Sequence, residues 1–441
     1  MAVLLSGWIG AAAAQRPNIL LILTDDHGWG DVSAYGSPDV QTPAIDELAR
    51  QGMRFTQMRA NATVCSPTRA ALLTGRYPDR VGVPGVIRSH SEDSWGFLDP
   101  RVATIATRLK AAGYRTALIG KWHLGLESPN LPNERGFDHF HGFLGDMMDS
   151  YTTHLRHGTN YLRLNRTPIN PAGHATDLFA DWAIDYLRDS SQRRRPFFLY
   201  LAFNAPHFPI EPPAEWLTRV RQRAPELKPE RARNVALVEH LDDRIGKVLR
   251  ALDTLGLTTN TLVAFTSDNG GSLPHGQSNR PWRDGKQSHY EGGLRIPFIV
   301  RWPGVVLPGT QSDYAGLTFD LFPTVLEAAQ QAVPGDLDAV SLLPQLRGSA
   351  PSPSVRDLYF VRREGGPGYG GKSYEALIRG DWKLLQNRPA GAWELYNLRD
   401  DPAEARNQID TEPKIARELQ TALQLHIQRG GAVPWQKRNS P

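Results

Sequence analysis

Uninterrupted apolar segments that end in polar residues recur along this sequence. They lie at 18–24, 116–120, 197–203 and 261–267. Apolar runs of this length are typical of strands that are buried on both faces of a sheet. Helical patterns lie between them, for example at 44–51, 103–112 and 232–255. This alternation predicts an α/β fold in which a mostly parallel sheet is flanked by helices.

The pattern changes after about residue 335. Short apolar segments flank a Gly-Asp turn at 380–381, which indicates a β-hairpin, and 393–398 has the alternation of another strand. A helical pattern follows at 412–428. The length of 441 residues also favours two domains, because one core stops growing at about 250–300 residues. We expect a main domain at 16–335 and a smaller α+β domain, built on an antiparallel sheet, at 336–441.

Composition excludes several classes of protein. Fifty Lys and Arg residues against 46 Asp and Glu give a net charge of 50 − 46 = +4, too little to indicate a nucleic-acid partner. No uncharged apolar run reaches the roughly 18–20 residues of a membrane span. Residues 1–15 are uncharged and rich in alanine, like a signal peptide remnant without its basic start. We therefore expect an exported protein, periplasmic or secreted.

Chemically useful side chains follow four of the predicted strands. In open α/β sheets, ligands bind beyond the carboxyl ends of the strands, so these side chains should meet there. Carboxylate and amide oxygens suit Ca²⁺ or Mg²⁺, although Asp and Asn also cap ordinary turns. If the chain stays extended after the strand at 116–120, Lys121 and His123, at positions i and i+2, lie on the same face of the chain. The side chains are Asp25, Asp26, Lys121, His123, His207, Asp268 and Asn269.

The single cysteine, Cys65, excludes intrachain disulfides and cysteine-built metal sites. A proline at 67 and a helical run beyond it place the thiol at a helix N-terminus, where negative charge is stabilised. Arg69, one turn along, can hydrogen-bond an anion at the same place. Cys65 is thus a candidate nucleophile in an anion-binding pocket. The alternative is a small buried apolar residue.

The segment Cys65-Ser66-Pro67-Thr68-Arg69 matches the Cys-x-Pro-x-Arg signature of type I sulfatases. The blocks at 16–28, 120–125, 267–271 and 284–295 resemble the same family in the same order. The chain therefore resembles the formylglycine-dependent sulfatases of the alkaline-phosphatase-like superfamily over roughly residues 16–410. The resemblance implies that fold for 16–335, as the catalytic domain, together with a smaller C-terminal domain.

The resemblance also implies the site. Cys65 would be oxidised by a maturation enzyme to formylglycine, whose hydrate attacks the sulfate and later expels it. His123 would be the base for that release, Arg69 and Lys121 would hold negative charge, and His207 and Lys286 would help the leaving oxygen depart. The implied ligands of Ca²⁺, or of Mg²⁺, are Asp25, Asp26, Cys65, Asp268 and Asn269.

The expected substrate is a sulfate monoester on a carbohydrate or another small molecule, although aryl sulfatases share every motif quoted. A loop just before Lys286 would bind a sugar or a second anionic group, and the alternative is a merely structural loop; its residues are His275, Arg280, Trp282 and Arg283. Two alternatives stay open. One is a phosphonate monoester or phosphodiester hydrolase on the same fold, and the other is a non-catalytic glycan-binding protein.

Overall fold

The structure is a computed structural model that describes residues 16–90, 93–349, 355–364, 372–388 and 391–433. Its strands are Asn18–Thr24 (β1), Met53–Phe55 (β2), Met58–Arg59 (β3), Arg115–Lys121 (β4), His139–Phe143 (β5), Leu155–Arg156 (β6), Thr159–Asn160 (β7), Leu162–Leu164 (β8), Thr167–Pro168 (β9), Phe197–Ala202 (β10), Thr261–Ser267 (β11), Phe298–Arg301 (β12), Thr310–Ser312 (β13), Gly316–Leu317 (β14), Asp357–Glu364 (β15), Lys372–Arg379 (β16), Trp382–Gln386 (β17) and Glu394–Asn397 (β18).

The helices lie between and after these strands. They are Pro43–Gln51 (α1), Cys65–Thr74 (α2), Ile105–Ala111 (α3), Ala175–Ser191 (α4), Ala214–Arg223 (α5), Pro229–Thr254 (α6), Glu291–Leu294 (α7), Leu321–Ala328 (α8), Leu343–Leu346 (α9) and Pro413–Gly430 (α10).

Ten strands of the described chain form one large mixed sheet, in the order β13-β2-β12-β11-β1-β10-β4-β5-β8-β9. Its centre is parallel: β1 pairs with β10 and β11, and β4 pairs with β10 and β5. Strands β12 and β8 join it antiparallel, which makes the sheet mixed. The predicted fold, a mostly parallel mixed sheet flanked by helices, is confirmed.

The four central strands are buried along almost their whole length, because both faces of this sheet are covered. Along β1, Ile19, Leu21 and Leu23 pack into one core, and Leu20 and Ile22 pack into the core on the opposite face. Helices α2, α3 and α8 contribute to the first core, and α1, α4 and α6 contribute to the second. Each such fully buried side chain contributes roughly 1.5–3 kcal/mol of transfer free energy, so the parallel centre is a main source of the stability of the fold.

A separate antiparallel sheet, β15-β16-β17-β18, carries the C-terminal part. Strands β16 and β17 form the predicted hairpin, with Arg379 opposite Trp382 and Gly380 in the left-handed region at φ 60°. Helix α10 packs on this sheet through Leu419 and Leu423. The predicted antiparallel α+β unit is confirmed. Its boundary at 335/336 stays a prediction, because residues after it, Leu342, Leu343 and Leu346, still pack into the first core of the large sheet.

Five buried charged residues join the two sheets, and we call them the junction cluster. Glu291 receives hydrogen bonds from Arg59 at 2.8 Å and from Lys383 at 3.0 Å, and Arg295 also contacts it. Lys383 lies 2.8 Å from Glu404 as well.

No helix among the described residues is long and apolar enough to cross a membrane. Residues 1–15, on which the prediction of export rests, lie outside the described part of the chain.

Candidate active site

The predicted residues meet at the carboxyl edge of the large sheet. Strands β11, β1, β10 and β4 are consecutive neighbours and run parallel, so their carboxyl ends lie side by side. The side chains they deliver are buried from solvent. In order across the sheet, these are Asp268 and Asn269, Asp25 and Asp26, His207, and Lys121 with His123.

The acidic residues form one connected group. Asp26 has a φ of 61°, so the chain turns directly after β1. The backbone N–H of Asp26 donates to Asp268 Oδ1 at 3.2 Å, and Asn269 Nδ2 donates to Asp26 Oδ1 at 2.7 Å. With the adjacent carboxylate of Asp25, the group comprises three carboxylates and one amide, and all four side chains are fully buried.

Cys65 is the first residue of α2, at the helix N-terminus that the sequence predicted. Its side chain is buried, and Sγ lies 3.2 Å from Asp25 Oδ1 and 3.9 Å from Lys286 Nζ. The free N–H groups at the start of this helix favour an anion beside the cysteine.

Three cations surround the carboxylates. Arg69 Nε donates to Asp268 Oδ2 at 2.9 Å, and Lys286 Nζ donates to Asp26 Oδ2 at 2.7 Å. Lys121 Nζ contacts the carboxylate of Asp25. The site thus holds three positive groups within reach of one buried point, an arrangement that can stabilise a dianion such as sulfate.

Both histidines have defined ring hydrogen bonds. His123 Nε2 donates to the carbonyl of Ile87 at 2.7 Å, which leaves Nδ1 buried without a partner among the described residues. His207 Nδ1 donates to the carbonyl of Phe208 at 2.6 Å, and its Nε2 accepts from Lys286 Nζ at 3.0 Å. The chain is not extended after β4, since His123 has a φ of 60°, so a left-handed turn brings Lys121 and His123 into the site.

Burial and neighbouring charges together shift the pKa values of the titratable groups in the site. Burial raises the pKa of Asp25, but Lys121 and the other nearby cations outweigh it and hold that pKa well below its usual value. Burial, with the carboxylate of Asp25, raises the pKa of the Cys65 thiol well above its usual range. Burial and Lys286 lower the pKa of His207 to about 4, in keeping with a neutral ring that accepts a hydrogen bond.

The donor atoms fit a divalent cation. One ligand atom from each of Asp25, Asp26, Cys65 and His207 lies within 4.8 Å of the others. Asn269 Oδ1 is buried and has no hydrogen-bond partner among the described residues, so an acceptor is left over at the acidic group. Hard oxygen donors of this kind match Ca²⁺ or Mg²⁺ rather than a soft metal.

The four loop residues that the sequence predicted to contact the sugar lie in different surroundings. Arg283 lines a cavity of about 700 Å³ beside Lys286, and His275 stacks on Phe208 with ring centroids 4.4 Å apart. Trp282 packs edge-on against Trp29 at 5.7 Å, with the guanidinium of Arg295 4.6 Å from its ring. Arg280 is exposed to solvent. Only Arg283 of the four predicted residues lines this cavity.

Part of the remaining cavity wall comes from residues that the sequence pattern did not single out. It includes Arg362 at the end of β15, Tyr374 in β16, and Asn387 and Arg388 just after β17. Tyr151 was also missed, and its hydroxyl donates to the carbonyls of Asn204 and His207 and so fixes the turn that carries His207. No local motif marks the cavity residues of the C-terminal sheet, because their proximity to Lys286 depends on how the two sheets meet.

Comparison with known protein families gives two matches. The family model described as Sulfatase matches residues 17–331, and the one described as N-sulphoglucosamine sulphohydrolase, C-terminal, matches residues 279–430. Together they cover both sheets and every side chain of the site described above.

Similar individual proteins span nearly the whole chain. N-acetylgalactosamine-6-sulfatase of Rattus norvegicus is 36% identical over 415 residues, covering 88% of this chain and 75% of that protein. Arylsulfatase A of Homo sapiens is 32% identical over 481 residues, covering 96% and 90%. A crystal structure of Ps i-CgsB in complex with k-i-k-neocarrahexaose has a TM-score of 0.86 and 29% identity, and covers 96% of both chains.

Proposed function

The chain belongs to the sulfatase family of the alkaline-phosphatase-like superfamily, and on that premise we propose that it hydrolyses a sulfate monoester of a sulfated carbohydrate. It is a sulfuric ester hydrolase, and the proposal concerns its substrate, its nucleophile and its metal. The observation that carries it is the convergence of Cys65, three cations and three carboxylates on one buried point.

We assign the nucleophile to Cys65 after its oxidation to formylglycine by a maturation enzyme of the host. The hydrated aldehyde would supply two hydroxyls on one carbon, one to attack sulfur and one whose deprotonation allows sulfate to leave. The position supports this role, because Sγ lies between the acidic group and Lys286 Nζ.

His123 is the base that we assign to the release step. Its Nε2 proton is committed to the carbonyl of Ile87, so the buried Nδ1 is the atom that can accept a proton. Burial, with Lys121 adding to it, lowers its pKa well below the usual value and favours the neutral ring that a base requires.

Asp25, Asp26, Asp268 and Asn269, together with the modified Cys65, would hold Ca²⁺, or Mg²⁺ in its place. When bound, the cation polarises the sulfate and stabilises negative charge on oxygen. Asn269 Oδ1 supports this assignment, because a buried acceptor without a partner costs free energy unless a ligand or water satisfies it.

The remaining cations would bind the sulfate and assist the leaving group. Arg69, in helix α2, and Lys121, at the end of β4, would stabilise the negative charge of the sulfate. Their positions are already fixed, so they act as preorganised donors. Lys286 Nζ donates a hydrogen bond to His207 Nε2, and Lys286 also lines the cavity through which the alcohol would depart. We assign them to protonation of the leaving oxygen.

A carbohydrate substrate is supported by the names of two relatives and by the cavity. The Rattus norvegicus relative is named for a sulfated amino sugar, and the Ps i-CgsB crystal contains a neocarrahexaose. The cavity beside Lys286 has about 700 Å³, within the roughly 300–1,000 Å³ of ligand pockets. Arg283 is the loop residue that we expect to contact the sugar.

Peptide mass spectrometry across Cys65, combined with sulfate release, tests this function. Conversion of thiol to aldehyde lowers the peptide mass by roughly 18 units, and the matured protein should release sulfate from aryl and saccharide esters. The Cys65→Ala variant should retain the fold and release none. Faster hydrolysis of a matched phosphonate monoester or phosphodiester would instead support the alternative substrate class, and sulfate release by protein that holds only thiol would refute the nucleophile.

A further inference from the structure

The cavity beside Lys286 lies between the 284–290 loop and the C-terminal sheet. Lys286 belongs to both the reaction centre and the cavity wall, since its Nζ contacts Asp26 and lies 3.9 Å from Cys65 Sγ. Whatever carries the reacting sulfate would therefore extend into this cavity.

The cavity wall is positively charged overall. It contains Arg283, Lys286, Arg362 and Arg388 against two acidic residues, Asp284 and Glu394, so its formal charge is 4 − 2 = +2. A wall with this charge favours a ligand that carries negative charge beyond the sulfate being hydrolysed.

Most of these charges already have partners. Arg362 Nη2 donates to Glu364 at 3.0 Å, and Lys286 is held by Asp26. Arg283 donates to Tyr396 Oη at 3.2 Å and lies 3.7 Å from the centre of the Tyr290 ring. Glu394 accepts from the hydroxyls of both of those tyrosines.

Arg388 is different, because its guanidinium contacts no acceptor within the described residues. It is exposed, it follows β17, and it lines the cavity with Asn387. Asn387 is itself fixed, since its Oδ1 accepts from the backbone N–H of His289 at 2.7 Å. The backbone next to Arg388 is thereby anchored, while its charge is available to a ligand.

We propose that this cavity binds the saccharide unit next to the reacting sulfate ester and that Arg388 binds a second anionic substituent on that saccharide. The substituent is a carboxylate or another sulfate ester, since the planar guanidinium pairs with both. The preferred substrate is therefore a multiply anionic oligosaccharide. The inference rests on the proposed function, because it takes the reacting group to be a sugar sulfate.

Calorimetric binding to the Cys65→Ala protein tests this inference without turnover. The probes are disaccharides with one sulfate ester and no other charge, with one sulfate and a uronic acid carboxylate, and with two sulfates, each as several positional isomers. We expect the doubly anionic disaccharides to bind about tenfold more tightly at low salt, as suits a charge-assisted pair, and the preference to shrink at 0.5 M salt. The two doubly anionic sets distinguish a carboxylate from a second sulfate.

Arg388→Glu should abolish that preference, and Arg388→Lys should retain part of it. The matched control is Arg347→Glu, which makes the same charge change at an exposed residue directly after α9. If Cys65→Ala does not fold, wild-type protein from a host without the maturation enzyme replaces it. Equal binding of singly and doubly anionic probes, equal effects of the two Glu variants, or no binding by any disaccharide would each overturn the inference.

The outcome for the proposed function is separate. Matured wild-type protein that releases sulfate from an aryl ester, while no disaccharide binds, overturns this inference and leaves the sulfatase chemistry standing. Charge-selective binding that Arg388→Glu removes, without any sulfate release by the matured protein, supports the subsite and overturns the proposed nucleophile.

Discussion

His123 combines a constrained backbone with a buried ring nitrogen, Nδ1, that has no hydrogen-bond partner among the described residues and can accept the proton in the proposed release step. Its φ of 60° is costly for most residues but tolerated by His, Asn and Asp. We expect His123→Ala to lower kcat by about 10²–10⁴ and to destabilise the protein by about 1–3 kcal/mol.

His123→Asn separates these two effects. Asparagine accepts the left-handed conformation, so this variant should recover part of the stability and remain as inactive as His123→Ala. Steady-state kinetics and urea denaturation of both variants provide the measurement. Wild-type kcat in His123→Asn would show that the imidazole is not the base.

Asn269 offers a test of the metal assignment that does not depend on activity. Binding of Ca²⁺ to the native state alone should raise the melting temperature, with about 2.7 kcal/mol of stabilisation at a hundred times the dissociation constant. Chelation should reverse the shift, and Asn269→Ala should reduce it, because its Oδ1 is the unpartnered acceptor.

Asn61→Ala is the matched control, since Asn61 is buried outside the site and bonds Thr318. It should lower the melting temperature in buffer yet keep the Ca²⁺ shift. Parallel titrations with Mg²⁺ decide between the two ions, and a protein whose melting temperature responds to neither would contradict the assignment.

The elements that the sequence predicted best are the strands that are buried on both faces. Strand β1 is apolar at every central position because both of its faces are covered, so its pattern is readable without knowledge of its neighbours. Short strands such as β2 and β8 carry no comparable pattern, because three residues are too few to form an apolar run or a clear alternation.

Prediction of the site was limited in a similar way, because only residues whose position follows from their own strand could be placed. Residues that directly follow the central strands were predictable, because parallel strands deliver their carboxyl ends to one edge. Arg362 and Arg388 were not, because they reach Lys286 only when the C-terminal sheet docks against the 284–290 loop. Trp282 shows the opposite case: its neighbour Arg283 lines the cavity, while Trp282 packs on Trp29, and its role in substrate binding stays a prediction.

The junction cluster determines how firmly the C-terminal sheet is held against the 284–290 loop. Lys383 is fully buried between Glu291 and Glu404, so Lys383→Met would leave two buried carboxylates with less compensation. We expect a loss of about 3–5 kcal/mol in the free energy of unfolding, measured by urea denaturation.

Arg399→Met is the control for this variant, because Arg399 pairs with Asp381 at the surface of the same sheet. Exposed pairs of this kind contribute at most about 1 kcal/mol. Equal losses for the two variants would show that the junction cluster does not stabilise the docked sheet.

At the scale of the whole molecule, Asp79 lies where the C-terminal helix meets the catalytic part. It is buried, its Oδ2 accepts from Tyr359 Oη of β15 at 2.9 Å, and its Oδ1 has no partner among the described residues. Gly430 at the end of α10 allows this contact, because a Cβ there would lie only 1.8 Å from Asp79 Oδ2.

The pH dependence of stability should therefore contain a contribution from this docking contact. Burial raises the pKa of Asp79 from 3.8 to about 6, so the native state binds its proton more tightly than the unfolded chain. The contribution is fully present below about pH 4 and is lost as the pH rises to about 6, by an amount of the order of 3 kcal/mol.

Asp79→Asn cannot ionise, so its free energy of unfolding relative to wild type should increase over that interval and stay constant above it. The exposed Asp400→Asn should follow wild type at every pH, and a constant difference between Asp79→Asn and wild type from pH 4 to 8 would show that this carboxyl does not titrate on unfolding.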